Sequence, residues 1–201
     1  MLLIAAIALW STGALEAEGY QRVAEQDGMA AYQQIEGGVI RVAAEGVVLA
    51  SPEAVRLSLL DYGRQIGRVG RLAEARVLER GEDSLLVYQR LDLPLIDDRD
   101  YTLLVRWGET DGVLWVAHEA IHGGGPRPRG GAVRVVEHSG GWELHPIRGG
   151  EATLARFRNT IDLSGSLPTW LARSGAAREL PSLFQGIRSL SAELAMARRR
   201  P

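Results

Sequence analysis

Apolar and polar positions alternate along the middle of the chain with the period of two that marks half-buried strands. Residues 28–37 read as a short strand carrying Met29, Ala31 and Tyr32, closed by Gly37 and Gly38. Val39 to Ala50 alternates through Val39, Arg41 and Ala43, then runs apolar at Val47, Val48 and Leu49, so the two segments predict a hairpin. The pattern then turns helical. Ser51 offers an N-cap hydroxyl, Pro52 the first helical position, and Glu53 an acid in the first turn. Val55, Leu57, Leu59, Leu60 and Ile66 continue it, and Gly67 or Gly70 ends it. Strands are predicted over 72–80, 85–93, 99–107, 113–121, 132–137, 142–146 and 152–163, with Gly140 and Gly141 as a break. Leu167 and Pro168 open a helical region from Thr169 to Arg199. Its stripe runs through Trp170, Leu171, Leu180, Leu183, Phe184, Ile187, Leu190 and Leu194, and Pro181 predicts a break in it.

Hairpins dominate this order and helices stand apart from strands. That is the signature of an α+β domain with a long C-terminal helix laid across a curved antiparallel sheet. The 201 residues suit one domain, and no repeat or linker divides them. Hydrophobic residues make up 46% and charged residues 24%, which places the chain among ordinary globular proteins. The net charge of −2 provides no basic field for a nucleic acid. Every basic residue is arginine, so no lysine exists for a Schiff base or a P-loop. The absence of cysteine excludes disulfides, thiolate catalysis and cysteine-based zinc sites.

Leu2 to Trp10 is an unbroken apolar run followed by Ser11, Thr12, Gly13 and Ala14. It resembles an export signal cut after Ala14 or Ala17, although no basic residue precedes it. Residues 1–17 are therefore expected to be removed, leaving 18–201 as the mature domain, periplasmic or secreted. The other reading is a helix that packs on a cytoplasmic protein.

Two stretches hold candidate chemistry. Asp98, Arg99, Asp100 and Tyr101 wedge charge between apolar strands, as a solvated hairpin end or as a polar anchor at the end of an apolar pocket. His118 to His122 spells HExxH. On a helix both histidines would face one zinc ion, with Glu119 as base. The flanking residues are strand-like, however, and a strand holds the two about 13 Å apart. Zinc–nitrogen bonds are about 2 Å, so no shared metal is predicted. His138 and His145 show no ligand spacing, and no serine sits in a nucleophile elbow.

Taken together, Ser51-Pro52-Glu53, Leu60-Asp61, Leu93-Pro94, Asp98 to Tyr101, Val133-Arg134, Gly141-Trp142, Thr153, Asp162, Gly165 and Leu167 to Leu171 resemble the START domains. These form the lipid-transfer branch of the helix-grip (SRPBCC) superfamily. The resemblance spans Ala24 to Leu190. It implies a helix-grip fold, with a curved antiparallel sheet wrapped around the C-terminal helix and an internal apolar cavity for one lipid or other hydrophobic small molecule. It also implies that Arg99 points into the cavity, where it would hold a hydroxyl, carboxylate or phosphate, steadied by Gln89 or Asp92.

Alternation then places Tyr101, Leu103 and Val105 on the same wall. Leu85, Val87, Trp115, Ala117, Val135, Phe157 and Ile161 are added from other strands, and Trp170, Leu180, Phe184 and Ile187 from the helix. For each, plain core packing is the competing role. The glycine- and proline-rich loop between His122 and Ala132 is a gate or simply a solvated hairpin loop.

The expectation is a monomeric carrier that binds and transfers a sterol, fatty acid or phospholipid. It would need no cofactor, no metal and no catalytic residue, and would touch membranes only transiently. The alternative is an aromatase/cyclase-type or hydrolytic enzyme on the same scaffold, for which Glu119, Tyr101, Arg99 and His118 are the titratable candidates.

Overall fold

Turn and capping chemistry divide the chain much as the hydrophobic pattern predicts. The computed structural model describes residues 12–36, 38–93, 96–123, 125–128, 131–135, 137–162 and 169–198, the side chains of 12, 13, 169–178 and 198 excepted. Helix α1 (Thr12–Ala17) leads into β1 (Gln21–Gln26), β2 (Met29–Glu36) and β3 (Val39–Val48). Helix α2 (Pro52–Leu60) starts as its sequence dictates: the Ser51 hydroxyl accepts from the Ala54 amide, and Pro52 and Glu53 fill the first turn. It stops sooner than predicted. Asp61 leaves the helical conformation and its carboxylate accepts from the Arg64 amide, capping the short α3 (Tyr62–Gln65).

Next come β4 (Leu72–Arg80), β5 (Ser84–Leu91), β6 (Arg99–Thr110), β7 (Val113–Ala120), β8 (Val133–Arg134), β9 (Glu137–Ile147), β10 (Ala152–Asp162) and α4 (Thr169–Arg198). Two expectations are corrected here, and one strand is new. The strand β1 was not foreseen, because its residues are mostly polar and exposed. Gly140 and Gly141 lie inside β9 and do not break it. Pro181 lies inside α4, which is one helix.

The strands form one sheet in the order β1-β2-β3-β10-β9-β7-β6-β5-β4, with β8 beside β6 in parallel. Early and late parts of the chain meet where β3 pairs with β10, Val48 opposite Thr153 and Val39 opposite Asp162. Helices α2 and α4 cover the inner face and are joined by a buried 2.9 Å hydrogen bond between the hydroxyls of Ser58 and Ser191. Leu180, Phe184, Ile187 and Leu190 of α4 are buried against both sheet and α2.

Two glycines permit that docking. A Cβ at Gly46 would stand 3.0 Å from the Phe184 ring, and one at Gly186 would stand 2.4 Å from the Arg68 carbonyl oxygen. On the outer face Leu15 of α1, 1% exposed, packs against Tyr20, Tyr32 and Ala43. Among the described residues no helix is long and apolar enough to cross a membrane.

Candidate functional site

Strand pairing fixes which side chains share the inner face. Leu85, Val87, Gln89 and Leu91 of β5 stand opposite Val105, Leu103, Tyr101 and Arg99 of β6. Leu103 and Val105 then face Ala120 and His118 of β7. Val116 and His118 lie opposite Trp142 and Gly140 of β9, and these face Phe157 and Asn159 of β10. Read along the strands, this face changes character. One end is apolar throughout, with Val116, Trp142, Leu144 and Phe157, while Leu103, Val105 and Ile161 stand among the polar groups of the other. The other carries Arg99, Tyr101, His118, His138 and Asn159.

The apolar end is closed by aromatic contacts. Trp142 lies 4.6 Å from Phe157 and 5.2 Å from Phe184, centroid to centroid, which ties β9, β10 and α4 together.

The polar end is a connected cluster. Asn159 Oδ1 lies 2.9 Å from Nε2 of His118 and 2.9 Å from Nε2 of His138. Gly140 lies between His118 and Asn159 in the sheet. A Cβ there would fall 2.9 Å from Asn159 Oδ1, so the glycine leaves the two side chains room to meet across it. The last β7–β9 pair is Glu119 with Ser139. Past the end of β7, His138 meets Tyr101 edge to face at 4.5 Å, and the two imidazoles are 4.9 Å apart.

A carbonyl oxygen only accepts, so both rings carry hydrogen on Nε2 and present a bare Nδ1. Nδ1 of His138 is buried and has no hydrogen-bond partner among the described residues. Burial lowers the His118 pKa, against the pull of the Asn159 bond. Burial, with His118 adding to it, pushes His138 down to about 3. Both rings are therefore neutral at pH 7. Burial raises the pKa of Tyr101, with Tyr62 adding to the rise.

The register of β6 puts Arg99 on the face shared by Tyr101, Leu103 and Val105. Arg99 is 4% exposed and its guanidinium donates to the Asp97 carbonyl. Neighbouring acids turn elsewhere: Asp98 pairs with Arg90, and Asp100 with Arg134. Leu91 stands opposite Arg99, and Gln89 stands opposite Tyr101.

Asp100 lies on the other face of β6, fully buried, where it takes Arg134 Nε at 2.6 Å, Arg134 NH2 at 3.1 Å and the Tyr88 hydroxyl at 3.2 Å. Arg134 also donates to the Pro126 carbonyl. Gly125 sits so close to Thr102 that a Cβ would be 1.9 Å from its hydroxyl. The described part of the glycine- and proline-rich loop is thus held against the outer face of β6.

Leu85, Val87, Tyr101, Leu103, Val105, Val135, Phe157, Leu180, Phe184 and Ile187 all join the buried core, and Ile161 packs against it half-buried. Trp115 and Ala117 do not. The register puts Val116 and His118 inside, so Trp115 turns outward, lies over Gly108 and donates to the Thr110 hydroxyl. The side chain of Trp170 is outside the described residues. The HExxH histidines are separated as the strand predicts: His118 faces inward and His122 is exposed. His138 and Asn159 were missed. Their only sequence signal is a polar residue in a strand, and nothing in it tells that β9 and β10 align them with His118.

No protein-family model matches the chain, and no curated protein matches it in sequence. Solved structures match in fold. A STAR-related lipid transfer protein from Xanthomonas axonopodis superposes with a TM-score of 0.73 at 20% identity, over 88% of this chain and 98% of that one. Human STARD10 gives 0.75 at 14% identity, over 92% and 81%. The Zhui aromatase/cyclase from Streptomyces sp. R1128 gives 0.50 at 18% identity, over 81% and 95%. The chain has the START helix-grip fold.

Proposed function

We propose that this START-type protein binds one hydrophobic molecule, of sterol, fatty acid or phospholipid class, between the inner face of the sheet and α4, and carries it without chemical change. The observation behind this reading is the polarity of the inner face. An apolar wall gives affinity by removing ligand surface from water, and a few fixed polar groups at one end orient the ligand head. Similar structures named as lipid transfer proteins support the same class of ligand. Loading and release would occur at a membrane surface through transient contact by a monomer, in the periplasm or outside the cell.

The test is native mass spectrometry of the purified chain, with organic extraction of what travels with it. One copurified lipid per chain supports carriage and its mass names the class. A chain that stays free of lipid after incubation with vesicles of mixed lipid counts against it.

One observation favours a second reading, aromatase/cyclase-type catalysis: Tyr101, His118 and His138 converge on the inner face, and neutral imidazoles are suited to move protons. A ligand recovered with altered mass or ring content would select it.

A further inference from the structure

His138 Nδ1 is the feature of the inner face that packing leaves unexplained. The atom is buried without a partner, while Nε2 of the same ring donates to Asn159. A buried polar atom left unpaired is costly, and native proteins leave few of them unless a water or ligand completes them. With hydrogen fixed on Nε2, Nδ1 holds a bare lone pair and needs a donor. Among the described residues no side chain supplies one: Tyr101 presents its ring, and the Nε2 hydrogens of both histidines go to Asn159 Oδ1.

We propose that the polar end of the bound molecule is an uncharged hydroxyl and that it donates its hydrogen to Nδ1 of His138. This rests on the carrier reading above and narrows its ligand. A carboxylate has no hydrogen to give and would set its charge against a lone pair. An ionised headgroup would also lose its hydration among neutral imidazoles and apolar walls. Arg99 is a cation on this face and also donates to the Asp97 carbonyl, so an acid probe weighs its charge against the bare acceptor. The asymmetry of the pair is geometric: Asn159 uses one oxygen to lock both tautomers, and the ring nearer Tyr101 keeps a buried acceptor. Burial, which lowers the pKa of both histidines, keeps that acceptor bare at neutral pH.

The test uses the full delipidated chain and three probes of equal chain length: oleyl alcohol, oleyl methyl ether and oleic acid, competed in equimolar mixtures at pH 7.5 and read by native mass spectrometry. The alcohol is expected to be bound about tenfold more tightly than the ether, the worth of one buried hydrogen bond, and to be preferred over the acid. In His138→Leu the preference of alcohol over ether should vanish. Equal binding of alcohol and ether, preference for the acid, or a tenfold preference that survives in His138→Leu would each overturn the proposal. The ranking by the unmodified protein decides by itself if the variant does not fold. Failure to bind any of the three probes would instead overturn the carrier reading on which the proposal stands.

Discussion

Arg134 meets both carboxylate oxygens of Asp100, from a strand of two residues whose neighbour among the described strands is β6. Asp100 is fully buried, so the pair holds the glycine- and proline-rich loop against β6 and keeps the carboxylate from being stranded. Arg134→Ala is expected to cost about 3 kcal/mol, because breaking a buried pair leaves an uncompensated charge. Urea unfolding measures it; a loss under about 1 kcal/mol, the range of surface ion pairs, would show that solvent already supports Asp100.

The half-buried histidines set a pH dependence whose sign is fixed. The folded-state pKa of His138 lies near 3, against 6.5 for the free group, so below pH 6.5 the unfolded chain binds more protons than the folded one. Stability then falls as pH drops from 6.5 toward 3, by at most about 1.4 kcal/mol per pH unit for this residue. His118 acts in the same direction. Other acid-sensitive groups contribute too, so the measurement is the difference between slopes. Urea midpoints of His138→Leu should decline less steeply than those of the unmodified chain between pH 7 and pH 4, and parallel declines would refute the assignment.

Gly186→Ala sets two effects against each other. Alanine favours a helix interior by about 1 kcal/mol over glycine. Its Cβ would stand 2.4 Å from the Arg68 carbonyl oxygen, which is backbone and yields little. Overpacking of that kind costs about 1–3 kcal/mol, so a net loss in thermal stability is expected. A stabilised variant would mean that α4 can lift from the 66–70 turn at no cost.

Leu15 is predicted to belong to the folded domain. A chain that starts at Leu15 keeps its contact with Tyr20, Tyr32 and Ala43, and one that starts at Glu18 loses it. The shorter chain should unfold at lower urea concentration, by about 2 kcal/mol for one buried leucine. That difference would favour Ala14 over Ala17 as the place of an export cut. Equal stabilities would leave both open.

The fold was legible where local chemistry and period agreed. Ser51-Pro52-Glu53 announces α2, and the alternation in 99–105 puts Arg99, Tyr101, Leu103 and Val105 on one face, as found. It was illegible where the pattern was degenerate. Val113 to Ala117 is apolar throughout, so its phase cannot be read from polarity, and only pairing with β6 and β9 shows that Val116 faces in and Trp115 out. Glycine and proline misled for the opposite reason. Gly140 looks like punctuation and serves as the gap across which His118 reaches Asn159. Pro181 looks like a stop, yet α4 continues through it. The polar cluster joins residues from β6, β7, β9 and β10, and no local pattern reports an alignment made by three strand registers.

The pairing of β3 with β10 bears on how the protein reaches this state. Val48 and Thr153 are adjacent in space but lie about 100 residues apart along the chain. The seam joins the β1–β3 hairpins to the rest of the sheet, so a ribosome-bound chain holding only β1 to β9 has an unpaired edge where β10 belongs. Closing so long a loop is slow, and the sheet's interior is completed only by β10, which follows the other nine described strands. The face that holds Asn159 therefore exists only after β10 has been made, and until then the apolar inner surface is exposed to aggregation and to chaperones.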